Sequence, residues 1–136
     1  MVTNASITIY NRYLVSGVET YQRTQVLDVY WSNGKARNTL ASGGNIASDQ
    51  ASIYIPYARG AMYADPKVWL ALIVKTGKWT LQTGDYVVKG LVTDEISSGF
   101  TISALKAKYD YVLQISSVDP MLAGSQSIRH WQIGAK

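Results

Sequence analysis

The chain has 136 residues, with 13 Lys+Arg against 9 Asp+Glu for a formal net charge of +4, no Cys and a single His. It therefore cannot build a disulfide framework, a thiolate metal site or a cysteine nucleophile, and one imidazole, His130, leaves no pair for a zinc or facial-triad centre. Only 16% of residues are charged, below the roughly 25% of an ordinary soluble domain, and the aromatics are ten Tyr and four Trp against one Phe, which suits half-buried surface better than a dry core.

The opening residues, Met1-Val2-Thr3-Asn4-Ala5-Ser6, lack the basic start and apolar stretch of a signal peptide. The protein is expected to be made and used without secretion, and the Asn4-Ala5-Ser6 sequon to go unused. A first strand is predicted at residues 6–10, where Ile7 and Ile9 share one face and Thr8 and Tyr10 the other. Ser16-Gly17 turns into a longer strand at 20–31, whose apolar period slips near Val26-Leu27 and so predicts a bulge. Asn33-Gly34 follows as a hairpin turn, since both residue types tolerate positive φ. Residues 41–45, Ala-Ser-Gly-Gly-Asn, read as a mobile loop, and Ala51-Ser52-Ile53-Tyr54-Ile55 as a strand stopped by Pro56.

Residues 57–66 have no period and are expected to form an exposed excursion. The apolar run 67–75 between two lysines is short enough for a strand buried on both faces, and periodicity leaves a single helical segment open. A turn at 77–80 leads to a strand at 85–92 with Gly84 and Gly90 at its ends or at a bulge. Residues 100–108 carry a helical signal: Thr101 or Ser103 caps, Ala104, Leu105 and Ala107 favour helix, and Lys106 and Lys108 suit the C-terminal end. A strand at 109–118, ended by Asp119-Pro120, and a last strand at 128–133 complete the chain. In that last strand Ile128, His130 and Gln132 take one face and Arg129, Trp131 and Ile133 the other. The expected fold is all-β: one domain over residues 1–136, a single antiparallel β-barrel or sandwich of six to eight short strands, with one short helix and two long loops.

Searching for chemistry returns little. There is no G-x-S-x-G elbow, Gly77-Lys78-Trp79 lacks the flanking residues of a P-loop, and Asp94-Glu95 is the only adjacent carboxylate pair. No catalytic residue, cofactor or metal is expected, and no enzymatic activity. The candidates are instead contact residues. Asn33, Lys35 and Arg37 in one irregular segment, and Tyr57, Arg59, Tyr63 and Lys67 in the other, are candidate channel or partner-contact residues, because binding groups concentrate on loops. Tyr21, Trp79 and Trp131 are candidate interface anchors.

Several stretches together resemble a family of small tailed-bacteriophage structural proteins: Ile7-Thr8-Ile9-Tyr10-Asn11-Arg12-Tyr13, Tyr21-Gln22-Arg23-Thr24 to Val29-Tyr30-Trp31, Ala47-Ser48-Asp49 to Ile53-Tyr54-Ile55-Pro56, Gly84-Asp85-Tyr86-Val87-Val88-Lys89-Gly90, Lys106-Ala107-Lys108-Tyr109 to Ile115-Ser116-Ser117-Val118-Asp119, and Ile128-Arg129-His130-Trp131-Gln132-Ile133-Gly134. The likeness runs through most of the chain in order and departs from the pattern at Ser125-Gln126-Ser127, where relatives have a Ser-Pro-type turn. It implies a virion neck protein, a head-closure (stopper) component made in the host cytoplasm. The partners it implies are further copies in a hexameric or dodecameric ring, a portal or adaptor protein, a tail terminator or tail tube protein, and genomic double-stranded DNA held without sequence specificity. No membrane is implied. The alternatives are a tail terminator or minor capsid protein, and a free-standing barrel that binds single-stranded nucleic acid or carbohydrate.

Overall fold

The computed structural model of the protein describes residues 3–39 and 45–136, apart from the side chains of residues 34–39, 45–49 and 126. Six antiparallel strands, β1 (Ala5–Val15), β2 (Val18–Thr39), β3 (Asn45–Pro56), β4 (Tyr86–Lys89), β5 (Val112–Met121) and β6 (His130–Ala135), close into a barrel in the order β1-β2-β3-β6-β5-β4. Closure depends on β2. It pairs with β1 as far as Val29 and with β3 from Tyr30 onward, so a single strand serves two neighbours around a corner. The expected bulge makes that corner: the register jumps between Ile7↔Val26 and Ala5↔Val29, and Asp28 takes a φ of 55°. Ser16 and Gly17, at φ 51° and 79°, form the two-residue turn before it, with Val15 facing Val18.

Alternation decides what fills the barrel. Ile7, Ile9, Val29, Ile53, Ile55, Val87, Ile115 and Ile133 point inward and are at most 1% exposed. β1 is buried on its other face too, because the chain after β4 crosses over it. Thr8 Oγ1 donates to Gly90 O and accepts from Val92 N, both at 2.8 Å, and the Tyr10 hydroxyl donates to Asp94 O at 2.7 Å. That crossing ends in α2 (Ile102–Lys108), where the Thr101 hydroxyl caps Ala104 N as the sequence predicts. Leu105 of α2 joins Tyr10, Val88 and Val92 in a second apolar cluster outside the barrel. The Asp94 carboxylate accepts from the Tyr109 hydroxyl and from Lys108 Nζ, which holds its carboxyl below the usual range and fastens the crossing to the foot of α2.

Three expectations are corrected by this fold, and a fourth falls largely outside the described residues. Asn33-Gly34 is not a turn. The β2–β3 ladder runs through it, Asn33↔Ala51 and Gly34↔Gln50, and on to Thr39↔Asn45, so residues 32–39 are strand and β2 reaches 22 residues. The loop expected at 41–45 lies outside the described residues except for Asn45, which begins β3. Asp119-Pro120 does not end β5, which pairs with β6 through Met121↔His130; β4 pairs β5 only at 112–114, so the missing proline N–H faces an unpaired edge. Finally, the apolar run 67–75 is no buried strand. Asp65-Pro66 starts α1 (Pro66–Ala71), with proline at the first turn where its absent N–H costs nothing. A barrel already closed offers no edge to a seventh strand. Only Trp69 of the run is buried, and Ile73 and Val74 stand 100% and 70% exposed.

Strand directions alternate around the barrel, which gives it two chemically different ends. One end carries the β1–β2 turn, the C-terminal ends of β3 and β5 and the start of β6. From the other end the β2–β3 ribbon leaves the barrel, since the β1 and β6 ladders stop at Ala5↔Val29 and Ala51↔Ala135.

Candidate functional site

The turn end of the barrel is closed by aromatic rings. Trp131 points inward from β6 and is 3% exposed; Trp79, 2% exposed, meets it edge-on at 5.9 Å. Tyr63 lies 4.5 Å from Trp131 and 5.1 Å from Trp79, and Tyr57 stacks on the outer side of Trp131 at 5.4 Å. Burial raises the Tyr63 hydroxyl above its usual range. The segment that brings Tyr57 and Tyr63 here is a 3₁₀ helix, Tyr57–Met62, kinked at Gly60. A Cβ on Gly60 would sit 2.5 Å from Trp131 Cη2, so the close approach needs glycine. Gly60→Ala is expected to destabilise the fold by about 1–3 kcal/mol through this overpacking, measured as a lowered midpoint in urea with an unchanged slope.

Outside this plug runs an apolar trough. One part, with a cavity volume of about 650 Å³, is lined by Tyr54, Pro120, Met121, Leu122, Ile128 and His130 among others. The second, about 470 Å³, shares Pro120 and Leu122 and continues past Tyr57 to Asp65 and Val68. Met121, Leu122, Ile128 and Val68 are 46%, 42%, 58% and 57% exposed, apolar surface gathered in the kind of patch that often marks a contact site. His130 borders it with its ring 5.4 Å from Tyr54 and Nδ1 2.8 Å from Ile128 O.

The residues singled out in the sequence scatter around this end. Trp79 and Trp131, expected as interface anchors, are core residues, because each side chain faces into the turn end of the barrel, which they fill together with Tyr57 and Tyr63. Tyr21 is half-buried on the barrel's exterior, with its ring edge 6.2 Å from Tyr86 and its hydroxyl donating to Glu19. Tyr57 and Tyr63 belong to the plug. Arg59 Nη2 pairs with Asp28 Oδ2 at 3.1 Å, which ties the 3₁₀ segment to the β2 bulge, and Lys67 is exposed on α1. Asn33 Oδ1 accepts from Trp31 Nε1 at 2.7 Å on the ribbon, and Lys35 and Arg37 follow it on the same strand with side chains outside the described residues. The sequence reading passed over Met121, Leu122 and Ile128; apolar residues set between the turn-formers Pro120, Gly124 and Ser125 were the available signal.

A buried polar cluster sits beside the plug. Asp85, 3% exposed, accepts from Asn11 Nδ2 at 2.9 Å, Gln82 Nε2 at 2.9 Å and Arg12 N at 3.2 Å, while Asn11 also clasps Thr80 through both its backbone groups. Each partner of the carboxylate is an N–H rather than a cation. The cluster fixes the return of residues 80–85 onto β1, and among the described residues no group of three or more His, Asp or Glu is placed to hold a metal ion.

Three comparisons with known proteins bear on the chain. Residues 2–136 match a family described as of unknown function, DUF6751. No curated protein and no solved structure matches it.

Proposed function

The chain belongs to this family, and we propose that it is a structural subunit of a tailed-phage virion, a head-closure component of the neck that joins the portal assembly to the tail and helps retain packaged DNA. The observation that carries the reading is the exterior of the barrel. The interior is dry and locked by the aromatic plug, yet Leu14, Val18, Ile73 and Ile128 stand 58%, 65%, 100% and 58% exposed on the outside. A barrel with a rigid core and an apolar coat fits a subunit whose flanks are covered by neighbours. The stretches that resemble phage neck proteins support the same assignment.

The ribbon end supplies the part that reaches toward the channel. Residues 34–39 and 45–50 pair with each other alone, and a free two-stranded ribbon is marginal in water, so it gains order from a neighbour or from DNA. Residues 57–66, the other loop considered for that task, are held by Trp131 and cannot swing without opening the core. An oligonucleotide or glycan platform would need free aromatic faces, whereas Tyr13, Tyr86 and Tyr111 each already carry a lysine ammonium of the chain itself, at 4.9, 5.1 and 5.4 Å.

Phage lacking the gene are expected to make full heads that leak DNA and do not join tails. A variant with residues 36–48 replaced by a short turn is expected to enter the neck and still leak. Tailed, DNA-filled particles from the deletion would overturn the proposal, read by electron microscopy and nuclease protection of packaged DNA.

A further inference from the structure

Among the exposed apolar residues outside the barrel, two groups at its turn end stand out. In the cycle β1-β2-β3-β6-β5-β4, strands β1 and β6 are three steps apart and face away from each other across the barrel. The trough lies on the β6 side, built from β3, β6 and the end of β5. On the β1 side the β1–β2 hairpin continues past Tyr10↔Tyr86, the last rung with β4, and its tip exposes Leu14, Val15 and Val18 at 58%, 51% and 65%. The loop after α1 rests against the base of this hairpin, with Lys75 Nζ 4.9 Å above the Tyr13 ring and Trp69 5.6 Å from it edge-on. Ile73 and Val74 are the two residues before that lysine, so the hairpin tip and this loop form one apolar knob.

Both patches sit at the turn end of the barrel, one centred on β6 and the other on the β1–β2 hairpin, with α1 running from Val68 in the trough to Trp69 against Tyr13. We propose that the knob of one copy, formed by Leu14, Val15, Val18, Ile73 and Val74, seats in the trough of the next copy, lined by Met121, Leu122, Ile128 and Val68. The occupant is a second copy of this chain because the two patches match in three ways. Knob and trough together expose on the order of 1,000 Å² of apolar side-chain surface, about what a specific interface must cover. The knob projects and the trough is concave. Their rims also differ in charge: Lys75 flanks the knob, where Arg12 and Glu19 pair with each other at 3.3 Å, and Asp65 lines the trough. A contact between different patches is heterologous, so each copy still offers one free knob and one free trough, and the chain of contacts closes into a ring or runs on as a filament. This inference rests on the reading of the protein as a ring subunit and supplies the contact that builds the ring.

The absence of cysteine makes a covalent test clean. A Val18→Cys/Leu122→Cys double variant, oxidised at high protein concentration, is expected to give a ladder of linked multimers, whereas either single variant stops at a dimer. Charge variants give the second arm. Val18→Asp and Ile128→Asp change exposed residues, and each alone is expected to sediment as a monomer with an unchanged circular dichroism spectrum. Mixed in equal amounts they are expected to form one-to-one dimers, because each supplies the patch that the other lacks.

A wild-type protein that stays monomeric at high concentration would overturn the contact, as would a double-cysteine variant that gives no ladder or a mixture of the two charge variants that stays monomeric. Assembly lost in Ile128→Asp and kept in Val18→Asp would overturn it too, and would show that another surface of the chain fills the trough. The two readings fail separately. Virions that contain the protein and assemble normally with Val18→Asp would reject the contact and leave the neck assignment standing, whereas virions without the protein would reject the neck assignment.

Discussion

Trp131→Ala is expected to cost about 3–5 kcal/mol of stability, about a fifth or more of what a domain of this size commands. The indole is the centre of the plug. It touches Tyr57, Tyr63 and Trp79, and the Gly60 backbone lies against it at a distance that no other residue type permits. Truncation leaves a cavity bounded by rings fixed from two different segments, so little of it can collapse. The 3₁₀ segment loses the face on which it rests, and the trough, whose floor includes Trp131, loses its shape. Equilibrium unfolding in urea gives the stability loss. Tryptophan fluorescence should show Trp79 newly exposed to a soluble quencher. A loss below about 1 kcal/mol would mean that the plug does not hold the barrel end closed.

Asp85→Ala is the second large effect, expected at about 2–4 kcal/mol, because it orphans buried N–H donors rather than removing packing alone. Arg12 N loses its side-chain acceptor, and Asn11 and Gln82 each lose one of two. Asp85→Asn keeps the shape and places an amide donor among donors, so it falls between wild type and Asp85→Ala.

Asp85 also sets a pH dependence whose sign follows from its burial. Desolvation raises its carboxyl above the ordinary range, outweighing the N–H groups from Asn11, Gln82 and Arg12 that favour the charged form. The folded protein therefore holds that proton more tightly than the unfolded chain. The stability this group contributes is full below the unfolded carboxylate pKa, about 3.9, and is lost as pH rises through the folded value. Asp94 and Glu19, held low by hydrogen bonds from Tyr109 and Tyr21, act in the opposite sense and are common to both proteins. The advantage of wild type over Asp85→Asn should therefore shrink as pH rises from about 4 and then level off. An advantage that grows with pH would reverse the assignment.

Much of the strand pattern was legible because its cause is local. Alternation in residues 130–133 placed Trp131 and Ile133 on one face, and β6 buries those two and leaves His130 and Gln132 half-exposed. Thr101 caps α2 as read, Ser16-Gly17 makes the turn, and the slip at Val26-Leu27 marks the bulge. Candidate contact residues were harder to read. Sequence showed that Trp79 and Trp131 were large and amphipathic, which suits an interface and a core end equally well. It could not show that three segments far apart in the chain would bring Trp79, Trp131 and the pair Tyr57 and Tyr63 into one plug.

The division between the two sources of information is physical. Pairing period, capping and turn geometry act over a few residues, and composition acts through no position at all, so the all-β fold with its short helix and the shortage of charged surface were settled before folding. Asn33-Gly34, residues 67–75 and Pro120 could not be settled that way. Each was decided by whether a neighbouring strand was there to pair with, and only closure of the barrel determines that: β3 is present to carry the ladder past Gly34, no edge is left for residues 67–75, and no strand asks Pro120 for an N–H. The same closure turns Ile73 and Val74 outward and gathers knob and trough at the turn end of the barrel, which no pattern along the chain encodes.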